Sequence, residues 1–132
     1  MEPRNEVVVV DSSVWVALFI DGDSSHAEAG KIIDSLAGYI YVPYIVLSET
    51  ATVITNKYSK EQANNFLHFI SGDTRCTIVD NSYSTDMKAF LDCPEMLSFP
   101  DISIITFAVQ HQAQLITFDR KMRKEFSRVS AV

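Results

Sequence analysis

The sequence has few cysteines and no long apolar run, and both features restrict the class of protein. Its two cysteines, Cys76 and Cys93, form no CxxC pair, and no histidine lies at the spacing of a zinc motif. Unpatterned cysteines of this kind fit reduced thiols, so we expect a cytoplasmic protein. No apolar run approaches the length of a transmembrane helix, which argues against a membrane partner. No low-complexity linker or internal repeat divides the chain, so we expect one domain over residues 1–132.

The balance of charge excludes one simple mode of action. The formal net charge is −6, which argues against a protein that holds nucleic acid by bulk attraction to phosphate. The positive charge is nevertheless concentrated, because five of the eleven basic residues follow Phe118, namely Arg120, Lys121, Arg123, Lys124 and Arg128. A helix face exposed to solvent explains such a cluster, and so does a surface that contacts phosphate.

Short β-branched runs alternate with helical patterns along the whole chain. Strands are predicted at Val7–Val10, Tyr39–Val42, Cys76–Val79 and Leu115–Phe118. The helical patterns that separate or follow them include Val14–Ile20, His26–Leu36, a segment from Pro43, a segment after the capping box Ser59–Gln62, Tyr83–Leu91, Ile102–Val109 and a basic helix from Arg120. Such alternation predicts an α/β fold with a central, mostly parallel sheet of four to five strands flanked by helices.

Three local signals concern the ends of these helices. Ser12 or Ser13 is expected to cap the first helix by accepting a backbone N–H bond. Gly38 is expected to end the second helix with a positive φ, and Pro43 is expected to begin the third.

Acidic residues stand where predicted strands end or helices begin. Asp11, Asp80 and Asp119 follow strands, Asp101 lies in the first turn of a helix, and Glu49 lies early in another. In a parallel sheet the carboxyl ends of all strands lie along one edge, so these carboxylates could converge there. Each acid also has an ordinary explanation, because helix starts and turns are rich in aspartate.

Taken together, the acids at this predicted edge favour a metal site. Carboxylates a few ångströms apart repel one another, and their pKa values rise unless a cation joins them. Hard oxygen ligands of this kind suit Mg²⁺ or Mn²⁺ better than zinc. Such an ion lowers the pKa of a bound water, polarises a phosphoryl oxygen and links an acidic pocket to an anionic substrate.

Four motifs resemble the acidic motifs of PIN-domain ribonucleases, in the order and at the spacing of that family. They are Asp11-Ser12-Ser13 after the valine run, Ser48-Glu49, Leu97-Ser98-Phe99-Pro100-Asp101 and Leu115-Ile116-Thr117-Phe118-Asp119-Arg120. The resemblance spans nearly the whole chain and is strongest to the VapC-type toxins of prokaryotic toxin–antitoxin pairs. It implies a single three-layer PIN-like domain and a Mg²⁺- or Mn²⁺-dependent endoribonuclease, in which a metal-activated water attacks a phosphodiester.

The resemblance also implies roles for individual residues. The metal-binding and catalytic acids would be Asp11, Glu49, Asp101 and Asp119. Ser13 and Thr117 would assist near the metal or its waters, and Thr117 would face the same side of its strand as Asp119. Arg120 and Lys121 would contact phosphates of the RNA. A homodimer and an inhibitory protein antitoxin are the implied partners.

Two positions lie outside this pattern. Asp80 has no counterpart among the family's acids, and helix capping explains it. The turn His111–Gln114 departs from the family, whose members often carry a glycine there. This departure concerns the geometry of a loop and leaves the acids untouched.

Other functions are consistent with parts of the sequence. The main alternative is a catalytically silent PIN-like module that binds RNA or protein, although such a module has no need to gather repelling charges. A phosphatase related to haloacid dehalogenases requires a second aspartate two residues after Asp11, where this chain has Ser13. A serine hydrolase is disfavoured because neither Ser12 nor Ser13 lies in a Gly-x-Ser-x-Gly elbow. DNA suits the metal chemistry as well as RNA does, since attack by a water does not require a 2′-hydroxyl.

Overall fold

The structure, a computed structural model, describes residues 6–130, and a parallel sheet lies at its centre. The strands are β1 (Val7–Val10), β2 (Tyr39–Pro43), β3 (Cys76–Val79) and β4 (Gln114–Ile116). Their order in the sheet is β3–β2–β1–β4, and all three pairings are parallel. The prediction of an α/β fold with a parallel sheet is confirmed, with four strands in the described part of the chain.

Seven helices in residues 6–130 flank this sheet. They are α1 (Ser12–Phe19), α2 (His26–Ser35), α3 (Tyr44–Lys57), α4 (Lys60–Gly72), α5 (Tyr83–Asp92), α6 (Phe99–Gln110) and α7 (Arg120–Ser130). Helix α1 packs against α2, α3 and α4, whereas α6 packs against α5 and α7. The predicted arrangement of a sheet between helices is therefore present. None of these helices is both long enough and apolar enough to cross a membrane.

The direction of winding reverses beside β1. From β1 the chain moves outward to β2 and β3, and it then returns so that β4 pairs with the other side of β1. The crevice at the carboxyl ends of β1 and β4 is therefore the topological switch point, where open α/β sheets bind ligands. The N–H of Asp11 donates to the carbonyl oxygen of Ile116 at 2.9 Å, so the two strands remain paired up to this crevice.

The core holds β1 and α1 rigidly behind the crevice. Val9 and Val10 are almost completely buried, as is Trp15 one turn into α1. The indole of Trp15 packs against the rings of Phe66 and Phe69, with both centroid distances 5.8 Å. Burying each such side chain contributes roughly 1.5–3 kcal/mol to folding. The acid that follows β1 is therefore carried on a well-packed element.

The first and third helices begin differently from expectation. Asp11 occupies the N-cap position of α1, and the helix begins at Ser12 without a side-chain cap. The prediction that Ser12 or Ser13 caps the helix is wrong, because both hydroxyls donate to carboxylates instead. Hydrogen bonds to a charged acceptor are stronger than neutral ones. Pro43 does not begin α3 either, because it ends β2 and the helix begins at Tyr44.

Strand β4 ends two residues earlier than predicted. Thr117 and Phe118 lie beyond it, and the N–H of Phe118 donates to the hydroxyl of Ser13 at 3.1 Å. The N–H of Asp119 donates to the hydroxyl of Thr117 at 3.0 Å. The prediction that Thr117 and Asp119 share one face of a strand is therefore wrong. The two residues are instead joined by the hydrogen bond from the backbone N–H of Asp119 to the side-chain hydroxyl of Thr117.

Gly38 permits a close approach of two chain segments and does not terminate a helix in the left-handed region. Helix α2 ends at Ser35, and no glycine within residues 6–130 has a positive φ, so that prediction is wrong. A Cβ at Gly38 would lie 2.1 Å from the carbonyl oxygen of Glu6. The same oxygen accepts the N–H of Tyr39 at 2.9 Å, where β2 begins to pair with β1.

Gly38→Ala should therefore destabilise the protein by about 1–3 kcal/mol, because the added methyl group displaces this pairing. Urea unfolding measures the change. Gly30→Ala is the matched control, since a Cβ at Gly30 meets nothing within 4 Å and alanine is favoured inside α2. Equal stability of the Gly38→Ala protein and the wild type would contradict the close-approach explanation.

The turn between α6 and β4 carries backbone strain. Gln112 has a φ of 52°, in the left-handed region that favours glycine. For a residue other than glycine, this backbone conformation costs roughly 1–2 kcal/mol in conformational energy. The missing family glycine at His111–Gln114 thus coincides with a position whose backbone suits glycine.

Candidate functional site

Four acidic side chains surround the carboxyl edge of the sheet at the switch point. Asp11 directly follows β1 and is buried, whereas Asp119 follows β4 and is exposed. Glu49 lies in the second turn of α3, and Asp101 lies in the first turn of α6. Both side chains are partly buried. The elements that leave this edge of the sheet thus direct these acids toward one crevice.

A network of hydroxyl groups fixes the orientation of Asp11. The hydroxyls of Ser13 and Thr117 each donate to Oδ2 of Asp11 at 2.8 Å. The same two hydroxyls accept the backbone N–H groups of Phe118 and Asp119, respectively. The loop after β4 is therefore joined to the residue after β1 through two side chains.

Ser12 connects Asp11 with Glu49. Its hydroxyl lies 2.6 Å from Oε1 of Glu49 and 3.4 Å from Oδ1 of Asp11, so it donates mainly to Glu49. The two bonded residues Ser12 and Glu49 are 37 positions apart in sequence. The bond brings α1 and α3 together at the crevice. Ser12 is a site residue that the sequence reasoning missed, and no local pattern indicates a contact over this separation.

The charges of the acids are close enough to affect one another. Burial raises the pKa of Glu49, the hydrogen bond from Ser12 partly offsets this, and the charges of Asp11 and Asp101 raise the pKa further. Burial likewise raises the pKa of Asp101, hydrogen bonding to Ser98 opposes it, and the charges of Asp11 and Asp119 add to the rise. Each of the four acids thus takes part in at least one repulsive interaction with another.

The acids match a divalent metal ion in chemistry, but they do not form a closed cage. Among the residues the structure describes, no three His, Cys, Asp or Glu side chains lie close enough to hold a metal ion as they stand. Several carboxylate oxygens are turned toward hydroxyl or N–H donors, as when Oδ1 of Asp119 accepts the N–H of Met122 at 3.1 Å. The donor set nevertheless consists of hard oxygens that repel one another, which is the set that Mg²⁺ or Mn²⁺ binds.

Helix α7 places positive charge directly after Asp119. Arg120 and Lys121 are exposed and form no side-chain hydrogen bond or ion pair within residues 6–130. They occupy the first turn of the helix, where the helix dipole disfavours cations. By contrast, Arg123 donates to the carbonyl oxygen of Thr117 at 2.9 Å, and Arg128 pairs with Glu125 at 2.7 Å. Only part of the basic cluster is therefore used inside the fold.

Asp80 does not have the role expected of it. It is exposed after β3, and Ser82 occupies the N-cap position of α5. Helix capping by Asp80 is therefore wrong. The residue contributes instead to an open pocket that also contacts Ser48, next to Glu49.

Comparison with known proteins agrees with this geometry. The family model for the PIN domain matches residues 8–130. The chain therefore belongs to the PIN-domain family, which confirms the predicted resemblance to that family. No curated protein sequence matches the chain significantly.

Solved structures of proteins from toxin–antitoxin systems share the fold. The VapC20 toxin of Mycobacterium tuberculosis, described as cleaving the sarcin–ricin loop, has a TM-score of 0.80 at 21% identity, covering 89% of this chain and 94% of that one. VapBC2 of Rickettsia felis, bound to a fragment of its promoter DNA, has a TM-score of 0.67 at 18% identity, covering 89% and 92%. A toxin–antitoxin complex from Klebsiella pneumoniae has a TM-score of 0.63 at 19% identity, covering 86% and 88%. At these identities the likeness concerns the fold.

Proposed function

We propose that this chain, as a single PIN domain, is a Mg²⁺- or Mn²⁺-dependent endoribonuclease that hydrolyses phosphodiester bonds. The observation that carries the proposal is the set of four interacting acids at the switch point: Asp11, Glu49, Asp101 and Asp119. Carboxylates that repel one another in a partly buried site reduce stability unless a cation joins them, and a bound cation would account for this arrangement. Membership of the PIN family supports the same conclusion.

The residues of the chain would divide the work of such a reaction. A bound Mg²⁺ or Mn²⁺ would supply an activated water and would neutralise charge on the phosphoryl oxygens. The four acids would hold it, while Ser13 and Thr117 keep Asp11 oriented through Oδ2. Ser12 would position Glu49 in the same way through Oε1. Fixing the orientation of ligands by such hydroxyls supports both affinity and activity.

We further propose that the protein acts in the cytoplasm as the toxin of a toxin–antitoxin pair, as a homodimer restrained by a protein antitoxin. The similar structures include a toxin–antitoxin complex and VapBC2. The surface supports protein partners, because large apolar side chains are exposed on and after α5, including Met87, Leu91 and Met96. Exposed apolar surface of this kind is typical of interaction sites.

Cleavage of a mixed panel of single-stranded and structured RNAs tests the nuclease proposal. We expect cleavage with Mg²⁺ or Mn²⁺, loss of cleavage in EDTA, and loss in Asp11→Asn, which keeps the shape of the side chain but removes its charge. Asp34→Asn is the control, because Asp34 is exposed on α2. Binding of RNA without cleavage under any metal would favour the catalytically silent PIN-like module.

Arg120→Glu combined with Lys121→Glu should weaken RNA binding and reduce its salt dependence. Each lost phosphate contact on a single strand removes about 0.7 from the slope of log K against log salt, so the slope should fall by about 1.4. Binding across a salt series measures it. Lys31→Glu with Lys57→Glu makes the same change of charge at exposed positions on α2 and α3. Equal slopes for the two double variants would mean that Arg120 and Lys121 do not contact phosphate and simply form part of a solvent-exposed helix face.

A further inference from the structure

An open pocket lies beside the segments that carry Glu49 and Asp101. Its volume is about 480 Å³, within the range of roughly 300–1,000 Å³ typical of sites for small ligands. Ser48 lines it beside Glu49, and Phe99 lines it two residues before Asp101. The pocket therefore borders α3 and α6, the two helices that carry Glu49 and Asp101.

Exposed aromatic side chains line the pocket. Tyr44 is 57% exposed, Tyr83 is 73% exposed and Phe99 is 38% exposed. They come from the first residues of α3, α5 and α6, so three separate elements bring them to one place. Aromatic rings displayed to solvent around a pocket are suited to stacking on planar bases.

A partly buried polar network includes two residues of the pocket lining, Asn81 and Asp86. The side-chain oxygen of Asn81 accepts the N–H of Ile45 at 3.3 Å, and its amide donates to the hydroxyl of Ser103 at 2.9 Å. That hydroxyl in turn donates to Oδ2 of Asp86. The network joins the start of α3, the loop before α5, and α5 and α6 themselves. The position of Asp86 is therefore well determined.

Asp86 presents a free acceptor to the pocket. The residue is only 4% exposed, and within residues 6–130 its hydrogen bond from Ser103 uses Oδ2 alone. Its other oxygen, Oδ1, accepts no side-chain hydrogen bond within the described residues, and the residue lines the pocket. Oδ1 therefore remains an acceptor for one hydrogen bond from an occupant of the pocket.

The charges around the pocket select the kind of occupant. Asp80 and Asp86 line it, and none of its lining residues is basic. These carboxylates would repel a phosphate group. A neutral planar group that donates hydrogen bonds can both stack on the aromatic rings and donate to the carboxylate of Asp86. We propose that this pocket binds an unpaired nucleobase with an exocyclic amino group, next to the bond that is cut, and thereby sets a base preference. This inference rests on the proposed nuclease function.

Cleavage of an RNA pool randomised at successive positions, with the cut ends sequenced, tests this inference. The wild type should prefer an amino-bearing base, namely adenine, cytosine or guanine, over uracil at one position near the cut. Tyr44→Leu and Tyr83→Leu should each lower kcat/KM by about tenfold, because base stacking on that ring is lost. Asp86→Asn should shift the preference toward uracil, since an amide that still accepts from Ser103 turns its N–H₂ toward the pocket.

The matched control lies at the other end of α3. Tyr58 is 52% exposed and follows the last residue of the helix that Tyr44 begins, so Tyr58→Leu should leave both rate and preference unchanged. Wild-type cleavage with a base preference unaltered in all three pocket variants would overturn the nucleobase pocket and leave the nuclease proposal intact. The same holds if the pocket variants lose only dimer formation or antitoxin binding. A wild type that neither binds nor cuts any RNA in the pool would overturn the nuclease function and the pocket together.

Discussion

Asp101→Asn should lower the rate of RNA cleavage by at least roughly a hundredfold while the protein remains folded. The substitution preserves the shape of the side chain but removes one of the four charges that the proposed metal requires. Burial and the charges of Asp11 and Asp119 raise the pKa of Asp101, so at neutral pH its ionised form opposes folding. In EDTA, Asp101→Asn should therefore have a melting temperature equal to or above that of the wild type.

The difference in stability between Asp101→Asn and the wild type should depend on pH in a defined direction. Because the folded state raises the pKa of Asp101 above its usual value of 3.8, the folded protein binds the proton more tightly than the unfolded chain. The tighter proton binding stabilises the folded state fully below about pH 3.8. This stabilisation is lost as the pH rises through the raised pKa of Asp101 in the folded protein. The advantage of Asp101→Asn in EDTA should accordingly shrink as the pH is lowered toward this region.

Thermal melts at several pH values, with EDTA and with Mg²⁺, measure the effect. Glu61→Gln is a suitable control, since Glu61 is an exposed acid in the first turn of α4, as Asp101 is in the first turn of α6. Full cleavage activity in Asp101→Asn would show that the proposed set of metal ligands is wrong. A melting temperature well below that of the wild type at neutral pH would contradict the electrostatic argument separately.

Thr117→Val should reduce both stability and activity. The hydroxyl of Thr117 donates to Oδ2 of Asp11 at 2.8 Å and accepts the N–H of Asp119 at 3.0 Å, and valine can do neither. Oδ2 of Asp11 keeps the bond from Ser13, but it loses one donor and the N–H of Asp119 loses its acceptor, which should together lower the free energy of unfolding by about 1–3 kcal/mol. Loss of a group that orients a metal ligand typically lowers metal affinity or activity by about 10- to 100-fold. The Mg²⁺ concentration for half-maximal cleavage should therefore rise.

Two further variants separate orientation of Asp11 from general packing. Thr117→Ser restores the hydroxyl without the methyl group, so it should recover most of the metal affinity. Thr50→Val removes a buried hydroxyl that has no hydrogen-bond partner in residues 6–130, so it should leave stability unchanged or raise it. An unaltered Mg²⁺ dependence in Thr117→Val, whatever its stability, would assign Thr117 a purely structural role.

Features that depend on neighbouring residues were predictable from the sequence. The run Val7–Val10 is a strand at its predicted bounds, as is Cys76–Val79, and Ser59 accepts the N–H of Gln62 as its capping-box pattern predicts. Strand and helix patterns repeat over a few residues, so a short window contains the whole signal. The parallel sheet followed from their alternation, and the PIN family followed from the order of four acidic motifs.

Contacts between distant segments were decided by the tertiary structure alone. The bond from Thr117 to Asp11 spans 106 positions, and that from Ser12 to Glu49 spans 37. Such pairs depend on strand register and on the rotation of each helix about its axis, neither of which leaves a local pattern. The serines near the start of α1 illustrate the difference, because their sequence context favours capping while the folded chain offers them carboxylates. The sequence by itself therefore determined the elements and the acids at their ends, whereas tertiary packing decided which hydroxyl orients which acid and which aromatic residues surround the adjacent pocket.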